Sequence, residues 1–534
     1  MLTPTLTSTG NWFPILDAQQ AHRDLVNAIT FSNRFDFCGE THTLAPGFDW
    51  LHNPSTDEEW LILLHKFYYA AGLGRAWHDT GDIAYRDKWV ELTEAWIAGT
   101  PIGFLSSDVA GRRIQNWISA WYFFAGAELP DGFRDRFFTS LTAQADWLID
   151  NLSPARNHRT LELLALFLAG VALSQERWLT FAKHAIVENI CADFHPDGVH
   201  IEQSTDYHHI VLRNALAVRR LAAMNEIALP AEFDVVIRRA LDFALFVHRP
   251  DGQIPSLSDG DSGSFLDLLE QGFALYGDPR YRWVATGGTA GIAPTERLKA
   301  FPNGGYYILR SVWRDQNDSY LVFDCGPLGA GNHGHFDLLS FELYGFGRPL
   351  IVDPGRYTYD ESGSTNWRAA FRGTAFHNTV LVDGRNQTRY EFHKRKFKVR
   401  GPAPEFQLLG FGTRDGYDFV SGQAASYEYD VLHQREIRMM DGGRSFVILD
   451  ELRSPTHHHY EQRFHLVDPQ AVRQGSSSVR ALGLQLHQHN PGVDCRVDAG
   501  CISQTYGSKQ PAAVAVFSQS GTNVQFETHL ELMP

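Results

Sequence analysis

The sequence predicts an α+β chain of two large domains, a helical domain over residues 1–300 followed by an antiparallel β-sandwich over 301–534. The length, 534 residues, exceeds one ordinary domain. Apolar residues recur at helical spacing through roughly the first 300 positions. Beyond Phe301 the apolar period drops to two.

In the first half, Thr56-x-x-Glu59 reads as a capping box, and Trp60, Leu64, Phe67, Tyr68 and Ala71 follow on one helical face. Further helical segments are expected near 82–98, 112–127, 132–151, 160–175, 177–192, 206–225, 231–248 and 264–275. Turns such as Pro130-Asp131-Gly132, Pro196-Asp197-Gly198 and Pro250-Asp251-Gly252 separate them. Short loops between successive helices imply antiparallel hairpins packed in series. In the second half, 306–309, 320–323 and 378–382 alternate as strands. Residues 435–440, the turn Asp441-Gly442-Gly443 and 445–449 read as a hairpin. Many short strands with polar turns make an antiparallel sandwich.

Composition narrows the function. The chain is 43% hydrophobic and 20% charged, enough to bury a sizeable core. Its net charge is −15 and no long basic run occurs, so no nucleic-acid footprint is present. A local basic cleft can coexist with that charge; Arg112-Arg113 and the stretch 394–398 are modest candidates. Thirteen Trp, 19 Tyr and 36 Phe offer faces for sugar stacking as well as core. Five cysteines without a C-x-x-C pair argue against a disulfide framework and a cysteine zinc site, although Cys495 and Cys501 are near enough in sequence to pair. No apolar run reaches membrane-spanning length, so no membrane partner is expected. The opening MLTPTLTSTGNWFP has neither the basic nor the apolar region of a signal peptide. The expectation is a cytoplasmic protein or a mature periplasmic or secreted form. Nothing in the sequence specifies an oligomeric state.

Four clusters carry the candidate chemistry. Asn157-His158-Arg159 precedes an apolar helix, where Asn also serves well as an N-cap. The block Asp197-Gly198-x-x-x-Glu202-Gln203-Ser204-x-x-Tyr207-His208-His209 crowds more polar and aromatic groups into a helix start than a cap requires. In Asn332-His333-Gly334-His335-Phe336-Asp337, extended backbone would put both imidazoles on one side, as a metal ligand and a base or as two ligands. Asp353-Pro354-Gly355-Arg356-Tyr357-Thr358-Tyr359 is followed by Arg368, Arg372 and Phe376-His377-Asn378-Thr379. Asp353 and His377 with His335 would make two imidazoles and a carboxylate, a donor set suited to zinc or a harder ion such as manganese.

Together these clusters resemble the heparinase II/III family of polysaccharide lyases, over most of the chain and in the same order. The resemblance implies an incomplete α/α toroid followed by an antiparallel β-sandwich. It implies that Tyr207 is the general acid, His333 a candidate general base, and Asn157 with His158 the groups that neutralise a uronate carboxylate. His335, Asp353 and His377 match the family's triad for one divalent ion, usually structural. Some members use a further sandwich tyrosine as base. Tyr357 and Tyr359 both lie nearby, the spacing does not choose between them, and Tyr359 is carried as the candidate. Arg112 and Trp117, where toroid helices line the cleft, and Gln203 and His208 are candidates for substrate binding.

The chemistry needs such groups. β-Elimination removes the C5 proton of a uronate and expels the oxygen at C4. Donors to the carboxylate stabilise the dianion that develops, at about 3 kcal/mol per preorganised donor. The expected substrate is an acidic, uronate-containing polysaccharide, foremost a glycosaminoglycan of the heparan sulfate/heparin, hyaluronan or chondroitin type. An alginate or bacterial exopolysaccharide lyase is the alternative. A hydrolase would need two facing carboxylates. Asp259 and Asp261 are the acidic pair on offer, and Ser258-Asp259-Gly260-Asp261 reads more simply as a loop at the cleft rim. A non-catalytic carbohydrate-binding module would keep the aromatics without needing Tyr207 and His333.

Overall fold

The computed structural model describes residues 10–15, 21–393, 396–399 and 401–534, with the backbone alone for 391–393 and 396–399. The basic stretch at 394–398 therefore lies largely outside the described residues. Two compact units emerge, Met1–Asp193 with Arg213–Val235, and Phe194–Leu212 with Val236–Pro534.

The first unit is helical. Helices α1 (Arg23–Ser32), α2 (Glu58–Lys66), α3 (Tyr68–Thr80), α4 (Ile83–Gly99), α5 (Ser107–Phe124), α6 (Phe133–Asp150), α7 (Arg156–Ala172) and α8 (Glu176–Asp193) are joined by a small hairpin, β1 (Arg34–Phe37) with β2 (Glu40–Thr43), and short loops. Helix α5 packs on α3 and α7, and α7 on α8. Helix α7 is apolar nearly all round and buried along most of its length, as a central helix must be. The cap of α2 differs from the expectation. Asp57, not Thr56, is the N-cap, its carboxylate accepting from Glu59 N at 3.0 Å. The expected single helix through Ala71 is broken at Phe67, which adopts φ +58 and stacks on Trp50 at 5.3 Å.

Helices α9 (Thr205–Met224) and α10 (Ala231–Val247) contribute residues to both units; α11 (Leu266–Tyr276) and α12 (Pro279–Ala285) belong to the second. The units thus do not follow a cut at residue 300. Phe194–Leu212 joins the sheet-bearing unit because Asp197 Oδ2 accepts from Asn303 N (2.6 Å) and Gly304 N (3.0 Å).

The second unit is built on antiparallel sheet. Strands β3 (Leu298–Phe301), β4 (Tyr306–Arg310), β5 (Tyr320–Asp324), β6 (Phe341–Gly345) and β7 (Arg348–Ile351) form a meander. After β8 (Val380–Val382) and the hairpin β9 (Tyr390–His393) with β10 (Lys396–Val399), strands β11 (Glu405–Arg414), β12 (Tyr417–Ala425) and β13 (Leu432–Met440) lead into β14 (Ser445–Leu466). The remaining strands are β15 (Val472–Gln474), β16 (Ser478–Ala481), β17 (Leu484–Gln488), β18 (Asp494–Thr505) and β19 (Ser508–Leu532). The hairpin read at Asp441-Gly442-Gly443 is present, with Met440 opposite Ser445.

Strands β14 and β19 are the spine, paired from Ser445↔Glu531 to Leu466↔Ala513 across a bulge between Arg453 and His458. One apolar core takes Leu309, Phe323 and Leu343 from the meander and Ile437, Ile448, Phe464, Phe517 and Phe526 from the later strands. These strands belong to one 15-stranded antiparallel sheet whose early and late strands share that core, the packing of a sandwich. All five cysteines are free thiols, so Cys495 and Cys501 do not pair. No described helix is long and apolar enough to cross a membrane.

Candidate active site

The second unit assembles the site from three stretches distant in sequence: the start of α9, the loop after Pro255, and the loops carrying His333 and Tyr359. Ser204 ties the first two together. Its hydroxyl donates to Asp259 O at 3.0 Å and accepts from Tyr207 N at 3.3 Å, so the residue that caps α9 also anchors the loop. Thr205 Oγ1 adds a bond to Pro255 O at 2.6 Å. Ser258 sits at φ +59, a left-handed conformation uncommon for a non-glycine residue, and Asp259 follows it.

Tyr207 touches two candidate bases. Its hydroxyl is 2.9 Å from that of Tyr359, and its ring stacks on His333 with centroids 4.0 Å apart. Arg356 Nη1 donates to the Tyr359 hydroxyl at 2.9 Å. Asp261 receives Arg356 Nε at 3.0 Å, and Asp206 lies 3.6 Å from Nη2. Tyr506 braces the same corner, its hydroxyl accepting from Tyr359 N at 2.9 Å and its own N–H donating to Asp261. Gly355 takes φ +78, and a Cβ there would lie 2.2 Å from Ser503 O.

Asp259 is the hub. It is fully buried and binds Arg368 through both oxygens, Nη1 to Oδ1 and Nη2 to Oδ2 at 2.6 Å. His333 Nδ1 lies 2.9 Å from Oδ2 and His335 Nε2 lies 2.8 Å from Oδ1. Burial pushes the Asp259 carboxyl up, but Arg368 and the two imidazole bonds outweigh it, and the group is held well below the usual carboxylate range. An ionised carboxylate only accepts, so both imidazoles donate to it. That fixes each tautomer: His333 keeps its lone pair on Nε2 and His335 on Nδ1.

Burial lowers His333 despite Asp259, which favours the neutral ring. Burial raises Tyr207 well above the ordinary tyrosine value, with Tyr359 adding to it. Burial also raises Tyr359, and Arg356 opposes it, leaving Tyr359 at about 12. Both hydroxyls therefore favour the protonated form, with Arg356 working against it at Tyr359.

The backbone around His333 is a loop rather than the expected strand. The two imidazoles nonetheless share a side, because each reaches one oxygen of Asp259. Gly334 is required there, since a Cβ would lie 1.8 Å from Leu328 O.

His335, Asp353 and His377 are all buried, and their ligand atoms converge within 4.8 Å of one another. His377 Nδ1 faces Asp353 Oδ2 at 2.7 Å. Glu342 Oε1 accepts from Asp353 N at 3.1 Å and steadies the loop. The cluster fits a metal ion on one decisive ground. His335 Nδ1 and His377 Nε2 are buried without a hydrogen-bond partner, an expensive arrangement unless something else binds the lone pairs.

The other expected residues fall elsewhere. Asn157 lies in the first turn of α7, not at its cap, which is Ala155 without a side-chain bond. Arg156 just before it takes φ +71. His158 is half-exposed, with Nδ1 3.8 Å from Asp108. Arg112 donates to Gln115 at 2.8 Å and lies over the Tyr68 ring. Trp117 does not fit substrate binding. It is 0% exposed, enclosed by Phe67, Trp96 and Phe137, because α5 is an inner helix. His208 is likewise core: 0% exposed, bonded to Ala240 O at 3.0 Å, and lowered by burial to about 3. Gln203 is buried at φ +56 beside His195, and its carbonyl accepts from the Tyr306 hydroxyl. Tyr357 packs on Phe371 and Trp367, leaving Tyr359 as the tyrosine that meets Tyr207.

Asp259, Arg356 and Asp261 were missed as site residues by reading the sequence. A buried Asp259 with both oxygens engaged is not half of a hydrolytic pair. Asp-Gly-Asp spacing gave no signal of burial; the usable signal lay in Arg356 and Arg368, whose charges are met by Asp261 and Asp259.

Two family models match: "Heparinase II/III N-terminus" over residues 14–279 and "Heparinase II/III-like, C-terminal" over 293–529. The chain belongs to the heparinase II/III family. It is 25% identical over 418 residues to a heparin-sulfate lyase of Bacteroides thetaiotaomicron, covering 70% of this chain and 60% of the relative. It is 25% identical over 374 residues to a heparin-sulfate lyase of Pedobacter heparinus, covering 66% and 56%. The matches thus span less than two thirds of these relatives' lengths. The crystal structure of a heparinase III superposes with a TM-score of 0.83 at 21% identity, over all of this chain and 87% of that one, and shares the fold of helical region followed by large antiparallel sheet.

Proposed function

We propose that this protein is a polysaccharide lyase that cleaves a uronate-containing glycosaminoglycan by β-elimination. One observation carries the reading: a protonated tyrosine, Tyr207, touches two different proton acceptors, His333 and Tyr359. Elimination needs an acid beside a base, and here the pairing is built in. The similarity to heparin-sulfate lyases supports the same class.

In this mechanism the C5 proton passes to Nε2 of His333, whose Nδ1–H is anchored on Asp259. Tyr207 donates its proton to the departing O4. Elimination leaves a tyrosinate and an imidazolium; gain of a proton by Tyr207 and loss of one by His333 reset the pair. Tyr359, nearer to ionisation because of Arg356, is the acceptor for a uronate of the opposite C5 configuration. Positioned acids and bases of this kind typically contribute about 10²–10⁴-fold each. Asn157 and His158 are assigned to the uronate carboxylate on the family resemblance.

His335, Asp353 and His377 would hold one divalent ion. Two imidazoles and a carboxylate favour zinc, with manganese the alternative. When bound, the ion supplies fixed positive charge that orders the loops carrying its ligands, and its role is structural. Elemental analysis of the purified chain tests this; a chain free of stoichiometric metal, with unchanged thermal stability on adding ZnCl2, contradicts it.

The test of activity is incubation with heparan sulfate, heparin, hyaluronan, chondroitin sulfate and alginate while following the ultraviolet absorbance of an unsaturated uronate. A rise with a glycosaminoglycan is expected. A rise with alginate alone moves the substrate to the alternative class, and new reducing ends without absorbance refute elimination.

A further inference from the structure

Three histidines meet on the face where β17 and β19 pair. His487 and His529 are direct partners in the register, so their side chains leave the sheet on the same side. His489 follows just beyond β17 and sets its ring between them, with centroids 4.5 Å from His487 and 4.0 Å from His529. His487 and His489 are exposed and His529 is half-exposed. None of them takes part in the elimination chemistry.

Each ring retains an uncommitted nitrogen. His487 Nδ1 is bonded to Ser478 Oγ at 2.6 Å, leaving Nε2. His529 Nε2 is bonded to Glu527 Oε1 at 2.9 Å, leaving Nδ1. The His489 ring makes no hydrogen bond to a described residue. Glu527 adds a carboxylate, and Glu531, opposite Gln485, adds a second negative charge on the same face. The frame beneath is tied: His489 N donates to Glu527 O at 2.9 Å, and Glu527 N donates to Gln488 Oε1 and Asn490 Oδ1.

We propose that His487, His489 and His529, with Glu527, form a surface site for a borderline divalent transition ion of the zinc, nickel and copper class. Three imidazoles and a carboxylate are the donors such ions select. Three rings this close repel one another when protonated, so an ion that takes their lone pairs replaces repulsion with attraction. The exposed rings turn about their side-chain bonds to converge on the ion, while the strand pairing holds their Cα positions.

The untagged full-length chain is tested on immobilised Ni²⁺ resin at neutral pH, since a resin-held ion cannot reach the buried His335 cluster. The native chain is expected to be retained and to elute with imidazole. His489→Ala should elute earlier, and His487→Ala/His529→Ala should pass through. In solution, titration with ZnCl2 should show one equivalent fewer in the double variant, with an unchanged melting temperature. Native-like elution of both variants, or equal zinc stoichiometry, overturns the proposal.

Discussion

His333 and His458 are both imidazoles whose Nδ1 faces an aspartate, yet they are driven in opposite directions. His333 shares Asp259 with Arg368 and His335, so the one negative charge is already balanced, and burial lowers the ring. His458, on β14 at its bulge, has Asp383 2.6 Å from Nδ1 and Asp430 2.8 Å from Nε2. Its hydrogen bond to Asp383 outweighs the cost of burial, and with Asp430 it raises the ring. Partner count and lost hydration decide whether a histidine is driven toward its neutral or its charged form. Both carboxylates of the second pair are substantially exposed, so it also tolerates its charges better.

Four substitutions test this contrast. The largest effect is expected for Tyr207→Phe, which removes the proton that His333 and Tyr359 serve. Turnover should fall by about 10²–10⁴-fold with an unchanged melting temperature; near-native turnover would remove Tyr207 from the chemistry. Asp259→Asn strips the hub of its charge and leaves Arg368 buried and unpaired, a loss on the order of 3–5 kcal/mol in denaturant unfolding. Activity should fall as well, because an amide no longer dictates which His333 nitrogen carries the proton. His335→Ala removes one bond to that carboxylate, worth about 1.5–3 kcal/mol, and one nitrogen of the proposed metal cluster. Stability and turnover should decline together, and prolonged chelation of the native chain should reproduce the direction.

The smallest effect belongs to His458→Gln and appears only in a pH window. His458 is raised in the folded state, so its contribution is complete below about 6.5, the ordinary histidine value, and fades as pH rises through the higher folded value. Asp383 is lowered by His458 despite its own burial, and Asp430 chiefly by His458. Their contribution holds above about 3.8, the ordinary value, and is lost as pH falls below it. The melting temperatures of native chain and variant should therefore differ most between about pH 4 and 6.5 and converge on the alkaline side. A difference that does not vary with pH would mean that packing, not charge, is what His458 supplies.

Much of this was legible in the sequence. Helices α4 to α11 fall close to their expected positions because runs of apolar residues are separated by legible turns such as Pro130-Asp131-Gly132 and Pro250-Asp251-Gly252. The break at Phe67 was invisible, since a residue at positive φ leaves the apolar spacing intact. The His335–Asp353–His377 cluster was legible as donor chemistry, and Tyr359 was already the candidate tyrosine, while its contact with Tyr207 was not legible. Trp117 and His208 misled for one reason: polar-capable side chains look like binding groups until burial is known. Asp259 was misread for the complementary reason, since the three residues that bond its carboxylate, His333, His335 and Arg368, lie far along the chain.

The spine of the sandwich has a consequence for how the chain is made. Strand β19 lies inside the sheet, flanked by β14, β17 and β18, although it is the last strand in sequence. Until residues 508–532 leave the ribosome, β14 and β17 each present an unsatisfied edge, the kind of template on which nascent chains pair with one another. The pairing that closes the gap joins residues as distant as Ser445 and Glu531, which makes it entropically late. Conditions that slow synthesis or crowd nascent chains should therefore cost soluble yield well before they affect the finished protein.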